Sequence, residues 1–576
     1  MQKKNYPRQF LTCCALLAVT AVPAHGQTAR RLPATDAIDA IFKRYDGNRT
    51  PGCSVAVIDG GKALFKKSYG MADPALGVAF SSSTTSWIPY SEARVFVGLA
   101  LAMLARDGKI TLDEPVRRYV PELPAYARAV TVRQLLHHTS GLADYGTLAG
   151  PGFELPDRLS EDEFFRILIR WGKLGFAPGS SEAYSNSDYA LLKILIERVS
   201  DASFHDYLSE KLLRPNGMTA TRIGFNQSQV VPGHALFHEA DGDGFRRLLR
   251  YRISPVGTIS VTTSLDDLVR LDRALRDPRQ GLSAMLKQLE NGAPPPGQGA
   301  SDVGYSFGVH RAAMGGLPML KYRGVGDFTY LVQFPTTDVS VATLCNAYRG
   351  MDTFALDVAR LYLAPAATVP DPSNPRNKPA DVASVPTSTT VVTPAELLTY
   401  VGHYQNAESS ASVDVTVADG RMVITPRGRP ANRALQPLGA GKFQTLLGGN
   451  PYTLQFKRVD GEMVLTSWDV VANEPGGPTL RRTAMLQPTS DTLRTYSGVY
   501  VGENVEVTLH VREYDGRLLL ASSGFAESEL RAREKPDEFR LPDIYTARFE
   551  RDATGQVISL ILDASRVKGM RFKRAN

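Results

Sequence analysis

Three observations predict an α/β domain followed by two small all-β modules. Strand patterns stand at both ends of roughly the first 360 residues with helical patterns between them. A stretch over residues 364–392, rich in Pro, Ala, Ser, Thr and Asn and without periodicity, reads as a linker. Beyond it the chain repeats: Leu397-Leu398-Thr399-Tyr400-Val401-Gly402-His403-Tyr404 returns as Leu493-Arg494-Thr495-Tyr496-Ser497-Gly498-Val499-Tyr500, 96 residues later. The same offset carries Asp419-Gly420-Arg421 onto Asp515-Gly516-Arg517 and Phe443 onto Phe539. Each copy shows short alternating strands split by Gly and Asp turns, as in a small antiparallel barrel. The divisions are residues 1–26, 27–363, 364–392, 393–488 and 489–576.

The first of these carries Lys3, Lys4 and Arg8, the apolar run Phe10 to Val22, then Ala24-His25-Gly26. That order reads as a secretory signal peptide cleaved after Gly26, which predicts a periplasmic or secreted protein. Its apolar run is short for a membrane span, and no later segment approaches the ~20 apolar residues that a spanning helix needs. Cleavage would remove three basic and no acidic residues, so the formal charge of +7 would fall to +4. With no Lys/Arg block, nucleic acid is not an expected partner.

Within the α/β domain, Ile38, Ile41, Phe42 and Tyr45 mark a first amphipathic helix, and Asp59-Gly60-Gly61 turns a hairpin after it. Ser160-Glu161-Asp162-Glu163 reads as a capping box, and Ser264 before Leu265-Asp266-Asp267 as another. Tyr145 to Pro156, with three glycines and two prolines, reads as a loop. Three strands, Lys321–Val325, Phe328–Phe334 and Val339–Cys345, close the domain. The remaining helix decides the chemistry. Val95, Leu99, Met103 and Leu104 recur at helical spacing behind Ser91-Glu92-Ala93-Arg94, with Gly108 after the last turn. Ser91 and Arg94 therefore share one face, and unpaired N–H groups at the helix start favour negative charge near the serine.

Ser91 to Asp113, Thr131-Val132-Arg133-Gln134-Leu135-Leu136-His137-His138-Thr139-Ser140-Gly141-Leu142, and Pro178 to Leu192 with Tyr184-Ser185-Asn186 follow in order. Together they resemble the serine β-lactamase and penicillin-binding protein superfamily, in particular its class-C-like branch with D-aminopeptidases and esterases. The resemblance runs from about residue 35 to 363 and implies a β-lactamase/transpeptidase-like antiparallel sheet flanked by helices. The repeated modules resemble the lipocalin-like tail domains of D-aminopeptidases, for which packing and substrate restriction are the expected roles. The resemblance also implies acyl-enzyme chemistry on a peptide, amide or ester, with cell-wall fragments among the candidate ligands. It assigns attack to Ser91, proton exchange to Tyr184 and positioning to Asn186. The third motif falls on Lys321-Tyr322-Arg323, or one residue later on Tyr322-Arg323-Gly324, with the Gly324 N–H joining that of Ser91 as oxyanion donors.

Two residues depart from the family pattern. Arg94 replaces its lysine, and Arg323 stands where a glycine is usual. Arginine is no base at neutral pH, since removing its proton there costs about 9 kcal/mol. One reading keeps an enzyme: Arg94 is a fixed cation beside Ser91, Tyr184 and Lys321, and one of the last two, Tyr184 before Lys321, takes the serine proton. Turnover would be slow and favoured at alkaline pH. A second makes the chain a binding pseudo-enzyme whose Arg94 and Arg323 receive the carboxylate of a peptide or muropeptide. In a third, Arg94 is a structural cation paired with Glu92 or Asn186.

His137 and His138 read as structural. The nine histidines are scattered without metal-ligand spacing, so neither a metal nor a cofactor is expected. Gly324-Val325-Gly326 lacks the context of a phosphate loop. After signal cleavage only Cys53 and Cys345 remain, both in apolar strand-like runs that suggest two buried thiols. The family's sheet order would make their strands neighbours and permit a bond in an oxidising compartment.

Overall fold

The computed structural model describes residues 35–88, 93–149, 159–224, 230–241, 244–248, 261–282, 305–306, 308–314, 316–322, 329–348 and 354–363 of the α/β domain. In the C-terminal part it describes 392–406, 412–418, 420–426, 433–447, 450–469, 474–475, 479–483, 486, 488–522, 525–533, 535–541, 545–564 and 566–575. Residues 1–34, which include the expected signal peptide, and nearly all of the expected linker lie outside these residues, as do Cys13, Cys14 and Asp419.

Seven antiparallel strands form the central sheet: β1 (Cys53–Asp59), β2 (Lys62–Tyr69), β3 (Tyr305–Ser306), β4 (Val309–Met314), β5 (Leu317–Tyr322), β6 (Thr329–Phe334) and β7 (Val339–Cys345), in spatial order β3-β4-β5-β6-β7-β1-β2. Both faces are covered, which is why β1 and β7 are buried almost throughout. On one face lie α1 (Thr35–Phe42) and α8 (Phe354–Leu363), packed through Phe42 and Phe354 with ring centroids 5.0 Å apart. Against the other pack α2 (Arg94–Arg106), α6 (Asn186–Ser200) and α7 (Leu265–Arg276), with α3 (Val132–Leu136), α4 (Tyr145–Leu148) and α5 (Glu161–Trp171) beyond. Among the described residues no helix is long and apolar enough to cross a membrane.

Local signals map onto this frame with corrections. Gly60 and Gly61, both at positive φ, turn the β1–β2 hairpin. Ser160 and Glu163 form the reciprocal capping box of α5. Ser264 caps α7 by accepting from the Asp267 N–H, but the expected second half is absent. Asp267 instead accepts from the Ala220 and Thr221 N–H groups and the Thr221 hydroxyl, which pins the segment before β-strand Arg222–Ile223. Tyr145–Leu148, expected as loop, is the short helix α4, because Asp144 accepts from the Thr147 N–H and nucleates the turn; residues 150–158 lie outside the described set. Strand β5 begins at Leu317 rather than Lys321, and β3 and β4 extend the sheet beyond the three strands expected.

The two thiols are not free. Cys53 and Cys345 face each other in the antiparallel β1–β7 pair and form a disulfide. That corrects the buried-thiol reading and realises the neighbourhood implied by the family sheet order.

The duplicated modules fold alike. Thr393 and Thr489 cap the helices Pro394–Tyr400 and Ser490–Arg494. The Tyr404 hydroxyl donates to the Tyr400 carbonyl at 2.7 Å, and Tyr500 to Tyr496 at 2.6 Å. Phe443 and Phe539 are both buried edge-on against Tyr400 and Tyr496. The first module is a ten-stranded sheet and the second a closed eight-stranded barrel spanning Gly498 to Arg574. A cluster of Asp414, His403 and Arg540 joins them.

Candidate active site

The second module also packs on the α/β domain. Its core continues into Ala143, Leu148 and Trp171, and Arg170 donates to Glu506 at 2.9 Å. This contact brings Arg566 beside the residues that the motifs single out.

Those residues converge where α2 and α6 begin. Ser185 caps α6, its hydroxyl accepting from the Ser187 N–H, so Tyr184 precedes the helix and Asn186 opens it. The otherwise unpaired N–H of Asn186 and its side-chain amide both donate to Asp144 Oδ2 at 2.7 Å. Asp144 Oδ1 accepts from the Thr147 N–H and hydroxyl at 2.8 Å, so one buried carboxylate ties α4 to α6. Ser187 strengthens the tie by donating to the Ala143 carbonyl and accepting from the Tyr145 N–H.

Arg94, the first residue of α2, is only 2% exposed. A helix start is electropositive, so a buried guanidinium there needs compensation. It receives several kinds. Nη2 donates to Asn186 Oδ1 at 2.6 Å, and Nη1 lies 3.4 Å from His138 Nε2. The guanidinium carbon stands 4.4 Å from the Tyr184 ring centre and 4.7 Å from that of Tyr189.

His138, at φ 57°, is fully buried beyond the end of α3. Arg94 can only donate, so it addresses Nε2 as an acceptor, while Nδ1 lies 2.7 Å from Asp188 Oδ2 and 3.4 Å from the Ser185 N–H. Asp188 Oδ1 accepts from the Ser140 hydroxyl at 2.5 Å. Burial, then the Arg94 and Arg566 cations, hold His138 well below its ordinary value, so the ring is neutral at physiological pH. Burial pushes the Asp188 carboxyl up, while Ser140 and Arg94 pull it back. Histidines read as merely structural thus include one that fixes the motif arginine.

From the second module, the Arg566 guanidinium lies 4.5 Å from the Tyr184 ring centre and 3.8 Å from Asp144 Oδ2. The Tyr184 ring is therefore flanked by two guanidinium groups. Gly308, ahead of β4, donates its N–H to the Tyr189 hydroxyl at 3.0 Å and presses on α2; a Cβ there would meet Val95 N at 2.3 Å.

Ser91 and Glu92 lie outside the described residues, as do Arg323, Gly324 and the Gly324-Val325-Gly326 segment. Lys321 is on β5 opposite Val332, sharing the face of Met319 that packs toward α1 and α8. Tyr322 faces the other way, into the layer that holds α2 and α6. Its hydroxyl donates to Gln333, whose amide donates to Asp272. Strand parity thus puts Lys321 and Tyr322 on opposite faces of β5.

The family model described as Beta-lactamase matches residues 38–366. The chain belongs to the Beta-lactamase family. Protein flp of Staphylococcus aureus (strain NCTC 8325 / PS 47) is 30% identical over 211 residues, covering 36% of this chain and 41% of that protein. A D-aminopeptidase of Brucella canis is 28% identical over 311 residues, covering 51% and 55%. The chain thus spans between two fifths and just over half the length of these curated relatives. An octameric penicillin-binding protein homologue from Pyrococcus abyssi shares the fold, with a TM-score of 0.50, 22% identity, and coverage of 78% of this Beta-lactamase-family chain and 98% of that one.

Proposed function

We propose that this Beta-lactamase-family chain is an exported serine hydrolase that transfers the acyl group of a peptide, amide or ester to Ser91 and then to water. Ser91 Oγ attacks the acyl carbon, Tyr184 takes the serine proton and returns it to the leaving group, and N–H groups at Ser91 and Gly324 hold the oxyanion. Arg94 neither gives nor takes a proton. It fixes Asn186 and supplies positive charge to the Tyr184 ring.

One observation carries this reading: Tyr184 lies between two guanidinium groups, 4.4 and 4.5 Å from its ring centre. The loss of the lysine is thereby offset at the residue left to move the proton. The relative named a D-aminopeptidase supports an amide or peptide substrate, and the Cys53–Cys345 disulfide supports an oxidising compartment and hence the signal-peptide reading of residues 1–26.

Binding without turnover is the second reading, favoured by the missing base. Its receptor, however, would have been Arg94 paired with Arg323, and both terminal nitrogens of Arg94 already face Asn186 and His138. A screen of D-aminoacyl anilides, p-nitrophenyl esters and nitrocefin against the mature protein and its Ser91→Ala variant tests the proposal. Hydrolysis of at least one substrate, lost in Ser91→Ala, supports it; no Ser91-dependent hydrolysis overturns it.

A further inference from the structure

Arg566 differs from Arg94 in what its donors do. Asp144, the acid nearest to it, already accepts four short hydrogen bonds, from Asn186 N and Nδ2 and from Thr147 N and Oγ1. At 3.8 Å Arg566 attracts this carboxylate without a hydrogen bond, and among the described residues its guanidinium hydrogen-bonds to no other group. Its side chain remains 41% exposed. The result is a planar, partly exposed cation lying on the Tyr184 ring at the candidate site.

We propose that Arg566 is the specificity residue of this site and receives a carboxylate of the substrate, so that peptide-like substrates with a free carboxylate are preferred over their neutral amides. The inference rests on the proposed function for the location of the acyl group, but recognition by Arg566 requires no turnover. A partly exposed guanidinium can form two parallel N–H···O bonds with a carboxylate, whereas a primary amide offers one acceptor and no charge. The Tyr184 ring and Asp144 hold the fork in place before the ligand arrives, which limits the entropy lost on binding. A tail module is thus given a definite share in the site, 472 positions along the chain from Arg94, and the substrate restriction expected of the modules acquires a chemical basis.

Binding in the Ser91→Ala background separates this inference from the hydrolase reading. An N-acetylated dipeptide and its C-terminal amide are titrated calorimetrically into full-length Ser91→Ala, then into the same protein carrying Arg566→Gln or Arg566→Lys. The acid should bind about tenfold or more tightly than the amide, and Arg566→Gln should abolish that ratio while leaving amide affinity within about twofold. Arg566→Lys, which keeps the charge but not the fork, should retain part of it. Equal affinity for acid and amide in Ser91→Ala, or a ratio unchanged by Arg566→Gln, overturns the proposal. So does equal weakening of both ligands, the mark of a merely structural role. Loss of Ser91-dependent hydrolysis with the acid preference intact would count against the proposed reaction alone.

Discussion

Replacing Arg94 by methionine tests whether its guanidinium is a built-in cation of the fold. The change keeps an unbranched apolar stem but removes the 2.6 Å bond to Asn186, the 3.4 Å contact with His138 and two ring contacts below 5 Å. It also leaves the buried Asp188 without a cation that pulls its carboxyl down. A hydrogen bond to a charged group is worth about 1.5–3 kcal/mol and a desolvated cation–π contact about 2 kcal/mol, and these do not add because they share one group. Removing one partner of a buried charged network costs about 3–5 kcal/mol, the loss expected here. For a large domain at about 2 °C per kcal/mol, the melting transition should fall by roughly 6–10 °C. Calorimetry of the full chain reads this as a shift of the α/β-domain transition, while Arg94→Lys, which keeps the charge, should lose about half as much. An Arg94→Met protein melting within about 1 °C of the parent would refute the caged-cation argument.

Three further outcomes follow from the same geometry. Gly308→Ala forces a Cβ against the backbone of Arg94 and Val95 at a φ of 78°, so denaturant unfolding should show a loss of about 2–3 kcal/mol; an unchanged midpoint would contradict the contact. Asp144→Asn turns an amide N–H toward donors that now meet a carboxylate, and should destabilise by about 2–4 kcal/mol and lower any Ser91-dependent turnover; a neutral effect on both would show that Asp144 does not organise α4 and α6. Burial holds His234 down at about 4, so between 6.5 and 4 the unfolded chain binds a proton that the native chain does not. Stability is then greatest above that window and falls as the pH drops through it, with His138 acting in the same direction. An NMR midpoint for His234 near 6.5 would be inconsistent with this.

What could be read in the sequence was local. The Asp59-Gly60-Gly61 turn, the Ser160 box and the 96-residue repeat are each written within a few residues or in a direct copy. The cage around Arg94 joins residues 44 and 92 positions away, and its outer cation comes from another module, so no window of sequence holds it. His138 was visible only as half of a His-His pair at a helix end; the signal that could have singled it out is the Asp188 that follows Asn186 by two, half a helical turn on. Asp267 misled because an aspartate after Ser264 resembles a capping partner, whereas tertiary contacts with Ala220 and Thr221 claim its oxygens. Lys321 and Tyr322 are neighbours in sequence but stand on opposite faces of β5, a parity that depends on a register the sequence leaves open by one residue.

The proposed hydrolysis requires Ser91 to be a working nucleophile although position 94 holds an arginine. Fluorophosphonate labelling of the mature protein, with the modified peptide identified by mass spectrometry, tests it most directly. A label on Ser91 is expected in the parent protein, absent only in Ser91→Ala. An unlabelled parent that becomes reactive once Arg94→Lys supplies an amine would contradict it.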